Sequence, residues 1–270
     1  MLAEIATAGL RRRRLPRLAA TDGAGSVHLY AAHGQSPAPG YLSGDFLGAA
    51  VGRFDPGGGA KDYARFAKAV GCTELYVAAS GFNWVIPTWV DPYAALLRVS
   101  SLVTLSGSSV NSPTRSTAPV KSRWRRGCAV ASQPRVGTVI ETGEEGRLFA
   151  LLDPDLVFMG PDTGHLAWAG VDVVSFCRDY ADRILTMHIK DIDPNVLAQG
   201  VAAEWDYGQF SDNGVFTELG LGFVDFPTVF DILDKAGFDG WLIVETDVTQ
   251  QETAYESADE QSVLARLVFE

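Results

Sequence analysis

Between residues 156 and 193 the apolar and polar positions alternate regularly enough to predict three consecutive elements. A short apolar run at 156–159 predicts a strand that breaks into Gly160-Pro161-Asp162-Thr163-Gly164-His165. From 173 to 185 apolar residues recur at helical spacing, with Arg178, Asp179, Asp182 and Arg183 on the polar face. A second apolar run, 184–189, carries His188 and runs into Lys190 and Asp191. A strand, a helix and a strand in so short a length force the two strands parallel, so their C-terminal ends lie side by side. Asp162, His165 and His188 are therefore expected in one region of space.

The same periodicity continues on both sides, with two interruptions. Residues 1–9 predict an amphipathic helix, and 10–60 lose all periodicity. Order returns with a helix stopped by Gly71 and a strand over 74–79. A helix begins at 92–99, but serines and prolines over 100–127 break the pattern again. An apolar run at 128–131 and a helix at 144–152 restore it. The acidic stretch 193–218 reads as a long lid or an unstructured connection. Residues 224–236 predict a helix ending at Gly237, and 240–247 a last strand that ends in an acid.

Strands and helices that alternate in this way predict an α/β fold, a (β/α)8 TIM barrel over 1–270 that is irregular at 10–59 and 100–127. Candidate ligands recur at that period. From Gln133 to Asp162 is 29 residues and from Asp162 to His188 is 26, against about 30 for one strand and helix. The 57 residues from His188 to Glu245 fit one unit with the long connection inserted. One oxygen or nitrogen donor per strand end suits Mn, Co, Mg or Zn. Read alone, Asp162 is equally an N-cap for the helix that follows. Lys190 and Asp191 read as a local ion pair or as catalytic groups.

Composition narrows the partners. The net charge of −11 is uneven: residues 151–270 hold 23 Asp and Glu against 5 Lys and Arg. The basic excess falls in 1–150 and includes the run Arg11–Arg14, which reads as a solvated or unstructured stretch; no nucleic-acid partner is expected. No apolar run approaches the length of a membrane span, so no membrane partner is expected. Cys72, Cys128 and Cys177 lie far apart, which suits a reducing, cytoplasmic compartment and not a thiolate zinc site.

The motifs PDTGHLAWAG, RILTMHIKDID and FTELGLGFVDFPTVFDILDKAGFDGWLIVETD resemble the sugar isomerase/epimerase family of xylose-isomerase-like TIM barrels, most closely its inosose dehydratase branch. The resemblance runs through 128–270, is patchy over 60–98, and is missing at 10–59 and 100–127. It implies four ligands to a divalent metal ion from the last four strands, three of them Asp162, His188 and Glu245. The fourth falls at Gln133, where the family has Glu or His; Arg135 also departs from its His-Pro-His pattern. Glu141 matches an acidic position that serves as base or substrate contact, and His165 a histidine that touches substrate. The candidate catalytic groups are thus Glu141, His165, Glu245 and Lys190. The implied activity is metal-dependent isomerisation or epimerisation of a small sugar or cyclitol by proton abstraction next to a carbonyl, or else dehydration of a keto-inositol. A catalytically silent barrel is the alternative that Gln133 raises, and a homodimer is the assembly that the resemblance leaves open.

Overall fold

In chain order, the first strand pair is β1 (Arg12–Arg14) beside β2 (Ser36–Ala38), parallel, with helix α1 (Gly23–Ala31) between them. The computed structural model describes residues 12–14, 23–38, 40–44, 65–72, 74–79, 129–132, 157–248, 250–253 and 256. After Pro39 the chain continues as β3 (Gly40–Gly44), which opens a parallel sheet with β4 (Glu74–Ala79), β5 (Ala129–Ser132) and β6 (Val157–Met159). Bridges Met159↔Ile184 and Asp162↔His188 carry the parallel order on to β7 (Thr186–Ile189). β7 in turn pairs in parallel with β10 (Trp241–Val244). Side-by-side parallel strands in chain order, with helices between them, are the arrangement of an α/β barrel.

Two expectations about the first half change. Arg12–Arg14 of the arginine run form strand β1, and the described part of the aperiodic stretch 10–60 contains a helix and three strands. Ladder hydrogen bonds to a distant partner can stabilise a strand that lacks apolar alternation, so the local pattern missed it. The helix at 65–69 and β4 occur as read, with Gly71 in the left-handed region at φ +85 between them. The segments expected at 1–9, 92–99, 100–127 and 144–152 lie outside the described residues.

The second half positions the site. After β6 come α2 (Thr163–Trp168) and α3 (Val173–Tyr180), the latter started by Asp172, whose side chain accepts from Val174 and Ser175 N–H groups. α3 ends sooner than its periodicity suggests; a single 3₁₀ turn over 181–183 delivers the chain to β7. All four β7 residues are buried, as a parallel strand covered on both faces requires. Helix α6 (Phe226–Lys235) turns Phe226, Val229 and Leu233 inward at helical spacing and packs on α3. Met159, Leu166, Phe176, Ile184, Met187 and Phe216 fill the space between these helices and the strands.

The connection expected as a lid or unstructured loop is folded. It holds α4 (Pro194–Ala202), α5 (Tyr207–Asp212) and β9 (Phe216–Thr217), and β9 pairs antiparallel with β8 (Asp191–Ile192) just before it. Asp193 caps α4, whose first turn holds Pro194; Asp206 and Gln209 form a capping box on α5. These caps satisfy N–H groups that a free loop would leave to water. Among the described residues no helix is long and apolar enough to cross a membrane.

Candidate metal centre

The site begins where β6 ends. Leu185 N–H donates to Met159 O at 2.9 Å and His188 N–H to Pro161 O at 2.8 Å, which seats the end of β7 against the end of β6. Thr163 locks the same junction: its hydroxyl donates to Lys190 O at 2.7 Å and accepts from Lys190 N–H at 2.9 Å. On the other flank, Glu245 N–H donates to Ile189 O at 3.1 Å and sets Glu245 just past the end of β10. Three neighbouring strand ends thus present Asp162, His188 and Glu245 to one point.

Asp162 fulfils both of its readings at once. Its Oδ1 accepts from His165 N–H at 3.0 Å and caps α2, while its Oδ2 faces the site. That second oxygen lies 3.2 Å from Lys190 Nζ, 3.7 Å from His188 Nδ1 and 4.0 Å from His165 Nε2. His188 Nδ1 is 3.0 Å from Glu245 Oε2. Donor atoms of Asp162, His188 and Glu245 fall within 4.8 Å of one another, with Asp162 and His188 buried and Glu245 partly so. Metal bonds of about 2.1 Å in tetrahedral array leave donors about 3.4 Å apart, so two carboxylates and an imidazole at this spacing fit a divalent ion.

Electrostatics keep the site charged. Burial alone would raise the Asp162 carboxyl, but Lys190 first, then His165 and His188, outweigh it and hold it well below the ordinary carboxylate range. Burial alone would lower Lys190; the carboxylates of Asp162, Glu245 and Asp247, with the hydrogen bond it donates to Asp247, instead hold it above its ordinary value. Lys190 is fully buried and stays an ammonium, 2.8 Å from Asp247 Oδ1 and 3.9 Å from Glu245 Oε1. The ring of Phe216 lies beneath it, 5.0 Å from Nζ to the centroid.

The expected Lys190–Asp191 ion pair does not form. Neighbours on a strand point to opposite faces, so Lys190 shares the face of His188 and Asp191 turns away. Asp191 is instead a buried anchor: Oδ2 accepts from Gly220 and Gly222 N–H at 2.9 and 3.0 Å, Oδ1 from Ile192 and Val224 N–H at 3.0 and 3.1 Å. Burial raises its carboxyl, partly offset by those four bonds. A Cβ at Gly222 would collide with this carboxylate. Gly164 is needed for a like reason, since a Cβ there would lie 2.7 Å from Lys190 Cγ.

Of the predicted site residues, Asp162, His165, His188, Lys190 and Glu245 are brought together; Gln133 and Glu141 lie outside the described residues. Three groups escaped the sequence reading. Asp247 holds Lys190 and lies 3.8 Å from His165 Nε2; its place two residues after Glu245, just past the last strand, was a signal. Tyr207, on α5, donates its hydroxyl to Asp247 Oδ2. Tyr76, on β4, stacks on His188 at 4.4 Å and hydrogen-bonds Thr186 through its hydroxyl; nothing local announces that contact.

A family model described as xylose isomerase-like TIM barrel matches residues 92–267. Among curated relatives, the inosose dehydratase of Geobacillus kaustophilus is 41% identical over 112 residues, 41% of this chain and 36% of its own length. The inosose dehydratase of Clostridium tetani is 36% identical over 132 residues, 48% of this chain and 43% of its own. The rhizopine catabolism protein MocC of Rhizobium meliloti is 35% identical over 121 residues, 45% of this chain and 37% of its own. The chain therefore spans less than half the length of each of these relatives. Among solved structures, the IolI protein with a bound zinc atom superposes with a TM-score of 0.69 at 15% identity, covering 99% of this chain and 91% of that one. An L-ribulose 3-epimerase gives 0.67 at 15% identity, covering 99% and 86%. At such identity the superpositions establish the shared barrel fold.

Proposed function

This chain belongs to the xylose isomerase-like TIM barrel family, and on that premise we propose a divalent-metal-dependent enzyme that removes a proton next to the carbonyl of a keto-sugar or keto-cyclitol. The observation that carries the proposal is the convergence of Asp162, His188 and Glu245 at three neighbouring strand ends, with Lys190 and His165 within 4.0 Å of Asp162. Those three side chains would hold the ion, which supplies Lewis acidity toward a substrate carbonyl. Gln133 as a fourth ligand and Glu141 as a base rest on the resemblance alone.

The protein's own groups suit elimination. Lys190 brings a fixed positive charge to the site, where it can face negative charge developing beside a carbonyl. His165 lies in the same cluster, at the start of α2, in place to give a proton to a departing hydroxyl. With the identities to inosose dehydratases, this favours loss of water from a keto-inositol over epimerisation. The buried cysteines Cys72 and Cys177 suit a cytoplasmic setting.

The test is to incubate the Mn- or Co-loaded chain with keto-inositols and ketoses in heavy water and follow them by NMR. The expected result is deuterium exchange next to the carbonyl with formation of a dehydrated keto-inositol. Metal-loaded protein that gives neither exchange nor product from any of them overturns the proposal.

A further inference from the structure

Two of the three carboxylates around Lys190 are the ones a divalent ion would take. Its Nζ is 3.2 Å from Asp162 Oδ2 and 3.9 Å from Glu245 Oε1, so ammonium and metal ion draw on the same charges. The third, Asp247, stands outside the triad and makes the shortest of the three contacts, 2.8 Å. Asp247 is itself held from the crossover segment. Its second oxygen accepts from the Tyr207 hydroxyl, and the Tyr207 ring stacks on Trp168 at 5.2 Å with planes 14° apart. The next segment along reinforces this: the Gln250 side chain lies across Gly214, where a Cβ would come 3.1 Å from its Cδ.

We propose that Asp247, fixed by Tyr207, is a positioning residue that retains the Lys190 ammonium at the edge of the triad, so that Asp162 and Glu245 are left for the metal ion. This rests on the metal-site reading given above. With a divalent ion on Asp162 and Glu245, Lys190 keeps one full counter-charge in Asp247 and stays buried without an unpaired charge. Without Asp247 the ammonium has only the metal's own ligands to pair with. Its escape to water is blocked, because Gly164 and the start of α2 lie directly on its aliphatic stem. Lys190 then becomes a competitor of the ion. Asp247 therefore acts on metal affinity through Lys190, the ammonium it contacts at 2.8 Å.

A double-mutant cycle separates these routes with no substrate present. Mn2+ is titrated calorimetrically into the full chain as the parent, D247N, K190M and D247N/K190M, with circular dichroism melts confirming the fold of each. The expected result is a loss of about tenfold or more in Mn2+ affinity for D247N, shrinking to less than about threefold in the K190M background, with K190M alone binding at least as tightly as the parent. An equal loss from D247N in both backgrounds overturns the inference while leaving the metal site standing. A parent that binds no Mn2+ overturns the metal reading itself and the inference with it. If D247N does not fold, Y207F replaces it, since it leaves every charge in place. Y207F is then expected to weaken Mn2+ binding only when Lys190 is present, and no such dependence overturns the inference.

Discussion

Asp162 is the residue at which capping and metal ligation can be separated by substitution. Asp162→Asn keeps an acceptor for His165 N–H and removes the charge at Oδ2; Asp162→Ala removes both. Loss of the charge leaves a fully buried ammonium short of one partner at 3.2 Å, though Asp247 and Glu245 remain. Breaking a buried pair from one side costs about 3–5 kcal/mol, and two surviving carboxylates put this case at about 3 kcal/mol. The cap adds about 1 kcal/mol, so D162A should fall about 1 kcal/mol below D162N. Urea unfolding in EDTA at neutral pH measures both differences, and Mn2+ titration should show no binding to either variant. The sign of the pH dependence follows from the depressed carboxyl. Its contribution is fully present above the ordinary value of 3.8 and is lost as pH falls through the lower folded value. The gap between parent and D162N should hold from neutral pH to about pH 4 and close below it. D162N unfolding within about 0.5 kcal/mol of the parent, with Mn2+ binding intact, refutes the reasoning and leaves Asp162 as a cap alone.

Two further outcomes follow from the glycines and the buried acid. Asp191→Ala strands four backbone N–H groups, some of which water can reach, and should cost about 3–5 kcal/mol. Amide exchange at Gly220, Gly222 and Val224 should quicken first, and unchanged exchange there would count against the anchor. Gly164→Ala forces a Cβ to within 2.7–2.9 Å of the Lys190 stem and should cost about 1–3 kcal/mol by overpacking. Its Mn2+ affinity should change together with its melting temperature; an unaffected variant would show that α2 and Lys190 have room to part.

The strand–helix–strand unit around Asp162 and His188 was legible because its signals are local: apolar runs, helical spacing and a capping aspartate before α2. The pairing of β1 with β2 was not, because what holds Arg12–Arg14 extended is a partner more than twenty residues away. The crossover helices were misread although their signals were present, Asp193-Pro194 for α4 and Asp206 with Gln209 for α5. Lys190 and Asp191 illustrate the opposite error. Their adjacency suggested a pair, whereas strand alternation sends one into the site and the other to the 220–224 loop.

That loop has one more consequence. Its apolar tips, Leu221 and Phe223, stand exposed, yet its backbone is tied to the residue that follows Lys190. A free loop would surrender conformational entropy each time a molecule settled against it, a cost of about 1–2 kcal/mol for every residue ordered. Here that entropy is given up once, during folding, when the Asp191 carboxylate gathers its four N–H groups. A molecule that settled against the loop would meet it already shaped, with little deduction from affinity for ordering.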